Sequence, residues 1–336
     1  MVLVHLQRRQ THHLPGTIPM QGRGGHLHIF GLLASSHEIY QGSVSFMMSS
    51  QLASFKSTKG EAEYVAAYDA VQKLWPVPFE ENDVMTRFGT THVIASGLEG
   101  SPPLLVLPAT GASSTMWLPN IGDLSSACRV YAVDIIGEPG KSRQSRLLRN
   151  REDCANWLGD VMQGLGLERA NIAGLSYGGW HTLNFSLLFP DRVNKLVALA
   201  PGASILPFSW PVLLLLRLLP YLPIKPNPLR SFFHKGFCPN ELFARQFASG
   251  VKHFRYADPT ESIFTNVFSD VELSSINVPT LFIVGENEVI YDPVAAIEKV
   301  DRLIPGVETR LVPDAGHLVS MEQPALVNQH ILKFLG

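Results

Sequence analysis

Cysteine is scarce: the 336-residue chain has three, Cys128, Cys154 and Cys238, with no C-x-x-C spacing. An odd, scattered set excludes a disulfide framework or a zinc cluster as the organising principle, and suits a reducing, cytoplasmic setting. An excess of either charge is lacking too. The chain carries 27 basic and 29 acidic side chains, a net −2, so no global basic field argues for nucleic acid or an anionic membrane. No run approaches the ~20 apolar residues needed to span a bilayer. The nearest, Trp210 to Leu222, is broken by Pro211, Arg217 and Pro220, and reads as a buried or lid-forming segment. The scattered histidines lack metal-ligand spacing, so neither a metal nor a cofactor is expected.

What is present is ordinary for a globular domain: 46% hydrophobic and 17% charged residues, in a chain long enough for a full core with an insertion. Residues 1–46 differ from the rest. They hold six of the 12 histidines (His5, His12, His13, His26, His28, His37), three arginines and a single acid, Glu38. They read as a disordered leader, or as sequence upstream of a natural start at Met47 or Met48. Arg8-Arg9 has no adequate apolar core behind it, because Ile29 to Ala34 is too short for an export signal.

Order is expected from about Thr58, whose spacing to Glu61 forms a capping-box signature. The helix that follows carries Tyr64, Ala67, Tyr68, Val71 and Leu74/Trp75 on one face and stops at Pro76 and Pro78. Val84 to Arg87 and His92 to Ala95 read as a hairpin. From Pro103 strands and helices alternate. The strands are Leu104 to Leu107, Val130 to Val133, Ala170 to Ala173, Val193 to Leu199, Thr280 to Val284 and Val307 to Val312. The helices are Met116 to Ser126, Arg151 to Leu165, Gly178 to Phe189, Pro293 to Leu303 and Glu322 to Leu335. Such alternation predicts an α/β fold with a mostly parallel sheet and helices on both faces.

Gly174-Leu175-Ser176-Tyr177-Gly178-Gly179 is the one G-x-S-x-G of the chain, with a strand pattern before it and a helix pattern after it. That context is a nucleophile elbow: glycines permit a turn too tight for Cβ atoms, and the serine hydroxyl stands up at the sheet end. A serine hydroxyl needs a base beside it and a third group to orient the base. Further along, His234 and His253 lie in a long insertion and His330 lies on the last helix. His317 sits in Asp314-Ala315-Gly316-His317, just after the last strand and at the sheet end where Ser176 emerges. The strand Thr280 to Val284 runs into Gly285 to Pro293, a loop holding three carboxylates, Glu286, Glu288 and Asp292. The loop after the preceding strand, Ala200 to Ser204, holds none. Acyl transfer also needs donors for a developing oxyanion, each typically worth ~3–4 kcal/mol. The backbone N–H of Tyr177 is one, and that of Thr110, in Pro108-Ala109-Thr110-Gly111-Ala112-Ser113, is the expected second. The insertion, about sixty residues from Gly202, far exceeds an ordinary connection. Its Pro, Leu and Phe content points to a helical cap over the site, the other reading being extra core remote from it.

These motifs, together with Asp83 to Thr91, Ser114-Thr115-Met116-Trp117 and Tyr131 to Gly137, resemble the α/β-hydrolase superfamily from about Phe55 to the C-terminus. Within it the chain looks like bacterial carboxylesterases of the naproxen-esterase type, which use a Ser-Glu-His triad. The resemblance implies the α/β-hydrolase fold, with core residues 55–202 and 262–336 and cap residues 203–261. It implies Ser176 as nucleophile, Glu288 as acid and His317 as base, in the order such enzymes follow, with Tyr177 and Thr110 amides as the oxyanion hole. The family pattern Gly-x-x-Asp puts Glu288 at the acid position, ahead of Asp292, and leaves Glu286 structural. Where the family usually has His-Gly this chain has Pro108-Ala109, and proline has no N–H to donate. Asp134 matches a position that is usually structural. The implied substrate is a small uncharged short- to medium-chain or aryl carboxylic ester, cleaved through an acyl-enzyme. The alternative is a C–C bond hydrolase, lactonase or thioesterase with the same triad, because one fold hosts many chemistries. A ligand-binding protein on this fold is the non-enzymatic reading.

Overall fold

Strands covered on both faces must be apolar along their whole length, and Leu104 to Leu107 and Leu281 to Val284 are. In a computed structural model, which describes residues 51–209, 234, 237–257 and 267–336, the elements assemble as follows. The strands are β1 (Ser54–Phe55), β2 (Phe79–Thr86), β3 (Gly89–Ser96), β4 (Pro103–Leu107), β5 (Arg129–Val133), β6 (Arg143–Gln144), β7 (Ala170–Leu175), β8 (Val193–Leu199), β9 (Phe254–Arg255), β10 (Thr280–Gly285) and β11 (Glu308–Val312). The helices are α1 (Thr58–Gln72), α2 (Leu118–Ala127), α3 (Arg151–Gly164), α4 (Tyr177–Leu188), α5 (Glu241–His253), α6 (Asp270–Ser274), α7 (Pro293–Leu303), α8 (Val319–Glu322) and α9 (Pro324–Leu335). The main sheet runs β11-β10-β8-β7-β4-β5-β3-β2, with β6 added to β3. Every pair from β11 to β5 is parallel, and β3 turns the sheet antiparallel toward β2. This is the mostly parallel α/β sheet expected from the alternation of elements, in the α/β-hydrolase fold that the resemblance implied.

Two cores follow from the period-2 alternation of strand side chains. Leu105, Leu107, Ile172, Phe282 and Val284 face one side, where α3, α4 and α7 bring Trp157, Leu158, Trp180, Phe185 and Val300. Leu104, Val106, Ala173, Leu175, Leu281 and Ile283 face the other, against Tyr64, Tyr68 and Val71 of α1, Ile121 and Leu124 of α2, and Ile331 of α9.

Several boundaries differ from the sequence reading. The cap of α1 is Ser57, whose Oγ accepts the Gly60 N–H at 3.1 Å, so Thr58 is already helical and no box forms with Glu61. Order begins earlier than Thr58, because β1 pairs with β9 from beyond the insertion. The last helix is two pieces: Pro324 heads α9, and a residue before proline is pushed out of the α region, here Gln323 at φ −130°, ψ 57°. Residues 1–46 lie outside the described residues, as do 210–233, 235–236 and 258–261 of the expected cap, including Trp210 to Leu222. The described end of that insertion, α5 and β9, packs on α1. There the buried Gln246 donates to Tyr64 Oη (3.2 Å) and Ser113 Oγ (2.8 Å), and accepts from Thr115 Oγ1 (2.8 Å).

Asp134, at the end of β5, is 1% exposed. Its Oδ1 accepts the Ser114 N–H and its Oδ2 the Lys141 N–H, both at 2.7 Å, so one carboxylate ties two loops at the active end of the sheet. Removing an acceptor strands its donors, at about 1–3 kcal/mol for each one buried. Asp134→Ala should therefore lower the unfolding free energy in urea by about 2–4 kcal/mol. A change within ~0.5 kcal/mol, the range of an ordinary surface substitution, would contradict this structural role.

Candidate active site

The carboxyl ends of parallel strands are where an open α/β sheet builds its sites, and four of them contribute here. β7 ends in Ser176, whose φ of 53° and ψ of −110° lie where a residue with a side chain rarely sits. The flanking glycines permit the turn through close approach. A Cβ at Gly174 would lie 2.2 Å from the Gly178 carbonyl oxygen, and one at Gly178 would lie 2.3 Å from the Leu107 carbonyl oxygen. The Ser176 N–H donates to the Leu199 carbonyl (2.9 Å), while its own carbonyl accepts from Trp180 N–H (2.9 Å) and Gly202 N–H (3.2 Å).

His317, after β11, brings Nε2 to 2.8 Å from Ser176 Oγ and Nδ1 to 2.8 Å from Glu288 Oε2. The His317 side chain is 4% exposed and that of Glu288 is fully buried. Both oxygens of Glu288 are engaged, since Oε1 accepts the N–H groups of Val289 and Ile290, each at 2.8 Å. These bonds fix the carboxylate and stabilise its charge in a dry site. The other two carboxylates of that loop lie elsewhere. Asp292 Oδ1 caps α7 through Val294 N–H (2.9 Å) and Ala295 N–H (3.1 Å), and Glu286 is exposed. His181, also downstream of the serine, is packed among the Tyr177, Trp157 and Trp180 rings. Burial pushes its pKa down to about 3, so it stays neutral beneath the site.

Tyr177 is the first residue of α4, where backbone N–H groups project outward along the helix axis. The loop after β4 is held to that same first turn, because Gly178 N–H donates to the Pro108 carbonyl at 3.0 Å. Within the loop Ala109 N–H is directed at Met116 Sδ (3.1 Å), Gly111 N–H donates to Glu138 Oε2 (2.7 Å) and Ala112 N–H donates to the Ala109 carbonyl (3.2 Å). Among the described residues, Thr110 N–H makes no hydrogen bond.

Two buried acids were not anticipated from the sequence. Glu138 accepts from Thr110 Oγ1 (3.0 Å), from Gly111 N–H and from the Tyr256 hydroxyl. Glu322, at the break before α9, accepts Gly316 N–H (3.0 Å), beside the histidine, and His234 N–H (2.6 Å), in the insertion. Burial raises its pKa. The available signal was faint: each is a lone acid next to a turn, in an otherwise apolar or proline-marked stretch.

The model of the family described as "Alpha/beta hydrolase family" matches residues 104–330, and the chain belongs to that family. Among curated proteins of Bacillus subtilis (strain 168), the chain is 41% identical over 274 residues to "Uncharacterized carboxylesterase nap", covering 81% of this chain and 91% of that protein. It is 40% identical over 284 residues to "Carboxylesterase YbfK", covering 84% of this chain and 96% of the relative. The crystal structure of naproxen esterase (carboxylesterase NP) from the same species is similar at a TM-score of 0.79 and 40% identity, over 84% of this chain and all of that one.

Burial raises the Glu138 carboxyl from its ordinary 4.5 to about 7, partly opposed by the hydrogen bonds from Gly111, Thr110 and Tyr256. The folded protein therefore binds this proton more tightly than the unfolded chain does. The resulting stabilisation is full below about pH 4.5 and is lost as pH rises through about 7. Glu138→Gln has no such loss. Its melting temperature relative to the wild type should climb between about pH 4.5 and 7 and then level off. A constant or falling difference would contradict the assignment.

Proposed function

We infer that this chain is a carboxylic ester hydrolase whose reaction runs through an acyl-enzyme on Ser176. The observation that carries this reading is the unbroken relay Ser176 Oγ–His317 Nε2–His317 Nδ1–Glu288 Oε2, with both contacts at 2.8 Å. Identity of about 40% to two carboxylesterases over most of the chain favours an ester over the C–C bond, lactone or thioester alternatives, which use the same three groups.

In the proposed reaction Ser176 Oγ attacks the ester carbonyl carbon as its proton passes to His317 Nε2. Glu288 holds the imidazole by Nδ1 and stabilises the imidazolium. The carbonyl oxygen, now an oxyanion, accepts from the Tyr177 and Thr110 amides. Collapse expels the alkoxide, which takes the proton from His317, and water activated by the same imidazole then releases the acid. The carboxylate and the two amides act on charge that exists only during the reaction, so they raise kcat rather than tighten substrate binding.

Residues 203–261 are proposed as a cap. In its described part Phe247 and Tyr256 lie against the oxyanion loop, within 3.0 and 3.5 Å of where a Cβ on Gly111 would be. Aromatic neighbours of this kind suit an uncharged short- to medium-chain or aryl ester. A cytoplasmic setting is proposed from the free cysteines. Among the described residues no helix is long and apolar enough to cross a membrane.

Steady-state hydrolysis of p-nitrophenyl butyrate tests the roles. Ser176→Ala should lower kcat/KM at least ~10⁴-fold, and Glu288→Gln about 10³–10⁴-fold, because an amide at this point favours the wrong imidazole tautomer. Asp292→Ala should stay within about threefold, since a helix cap affects stability rather than the relay. Turnover retained in folded Ser176→Ala, or losses at residues 288 and 292 in the reverse order, would overturn the assignment.

A further inference from the structure

We propose that Glu138 is a positioning residue for the oxyanion site, holding the loop after β4 in the shape that leaves the Thr110 N–H available to the substrate oxygen. The inference rests on reading the chain as a serine esterase, and concerns a residue that touches neither substrate nor triad.

Four observations carry it. First, Glu138 is 7% exposed, and every hydrogen bond its side chain makes is accepted: Thr110 Oγ1 at 3.0 Å, Gly111 N–H at 2.7 Å and the Tyr256 hydroxyl. Two of the three come from the oxyanion loop. Second, a carboxylate offers about four lone-pair sites in a fixed plane, so it can draw the Thr110 side chain and the Gly111 amide to one side. The Thr110 amide beside them is left without an acceptor among the described residues. Third, Gly111 sits at φ 73°, with Phe247 3.0 Å from where its Cβ would be; this backbone turn is one a side chain would resist, and Glu138 holds its N–H. Fourth, the segment bearing Glu138 is itself anchored. Asp134 accepts the Lys141 N–H, the Pro139 carbonyl accepts the Tyr64 hydroxyl at 3.0 Å, and the Glu138 N–H donates to the Ile135 carbonyl at 3.2 Å. The chain of contacts therefore runs from a fixed core loop, through one carboxylate, to the amide that would meet the oxyanion. An oxyanion donor displaced by about 1 Å can forfeit most of its effect on rate.

The test compares wild type, E138M, E138Q, T110V and S176A in steady-state hydrolysis of p-nitrophenyl butyrate and in binding of a trifluoromethyl ketone, which forms an oxyanion on the serine. Methionine keeps the length but offers Gly111 only a weak thioether acceptor in place of a carboxylate oxygen. E138M should lower kcat about ten- to a hundredfold, with KM within about twofold, and should weaken the ketone by the same factor. Glutamine keeps one oxygen for Gly111 and can donate to the Thr110 hydroxyl, so E138Q should restore kcat to within about threefold. A purely structural role would lower the melting temperature without this parallel loss in kcat and ketone affinity. Folded E138M with wild-type kcat and ketone affinity, or with a change in KM alone, overturns the proposal. If E138M does not fold, T110V decides. It removes one of the donors, and a fall in kcat of about three- to tenfold, matched by the ketone, is expected; wild-type values overturn the proposal. An inactive S176A alongside unaffected E138M and T110V sinks this inference alone, whereas an active S176A sinks the esterase reading beneath it.

Discussion

A single strained turn sets the Ser176 hydroxyl, the Tyr177 amide and the loop after β4 in place together. Ser176 occupies a backbone conformation that costs of order 1–3 kcal/mol, with φ at 53°. It persists because the surroundings leave no room for an alternative. The Gly174 and Gly178 backbones pass each other and the end of β4 at distances that exclude any Cβ, and both polar groups of the serine backbone are bonded to neighbouring strands, helix or loop. The same turn heads α4 and fastens the loop after β4. The Ser176 hydroxyl, the Tyr177 amide and the Thr110 loop are thus positioned together.

Around that turn, three buried glutamates each organise one loop of the site by accepting backbone N–H groups. Glu288 takes two amides of its own loop and the imidazole. Glu322 takes the amide before His317 and one from the insertion. Glu138 takes the Gly111 amide of the loop after β4. A buried carboxylate is costly unless it is hydrogen-bonded, and backbone donors bond it rigidly, with little side-chain entropy to lose. The loops that carry Glu288, His317 and Thr110 are in this way tied to buried carboxylates.

The sheet was legible because strands such as Leu104 to Leu107 and Thr280 to Val284 are apolar throughout, and only a doubly covered parallel strand needs that. Ser176 and His317 were legible because the elbow and the last loop are local patterns. Glu288 was less so: three carboxylates stand within seven residues, and what separates them is long-range. Asp292 faces the first turn of α7 and Glu288 faces His317, a distinction made by packing. Glu138 and Glu322 escaped notice for the same reason, their partners lying 27 and 88 residues away. The cap of α1 slipped by one residue because Ser57 and Thr58 are both competent, and the pairing of β1 with β9 decides which of them turns the chain.

The proposed reaction rests the acyl group covalently on the serine held in that turn. Acid quenching during turnover of a slowly deacylating aryl ester, followed by mass spectrometry of the peptide containing Ser176, tests it most directly. The expected result is an acyl adduct on Ser176 that forms at least as fast as kcat and disappears as substrate is exhausted. An adduct on another residue, or turnover with no adduct at all on this peptide, would contradict it.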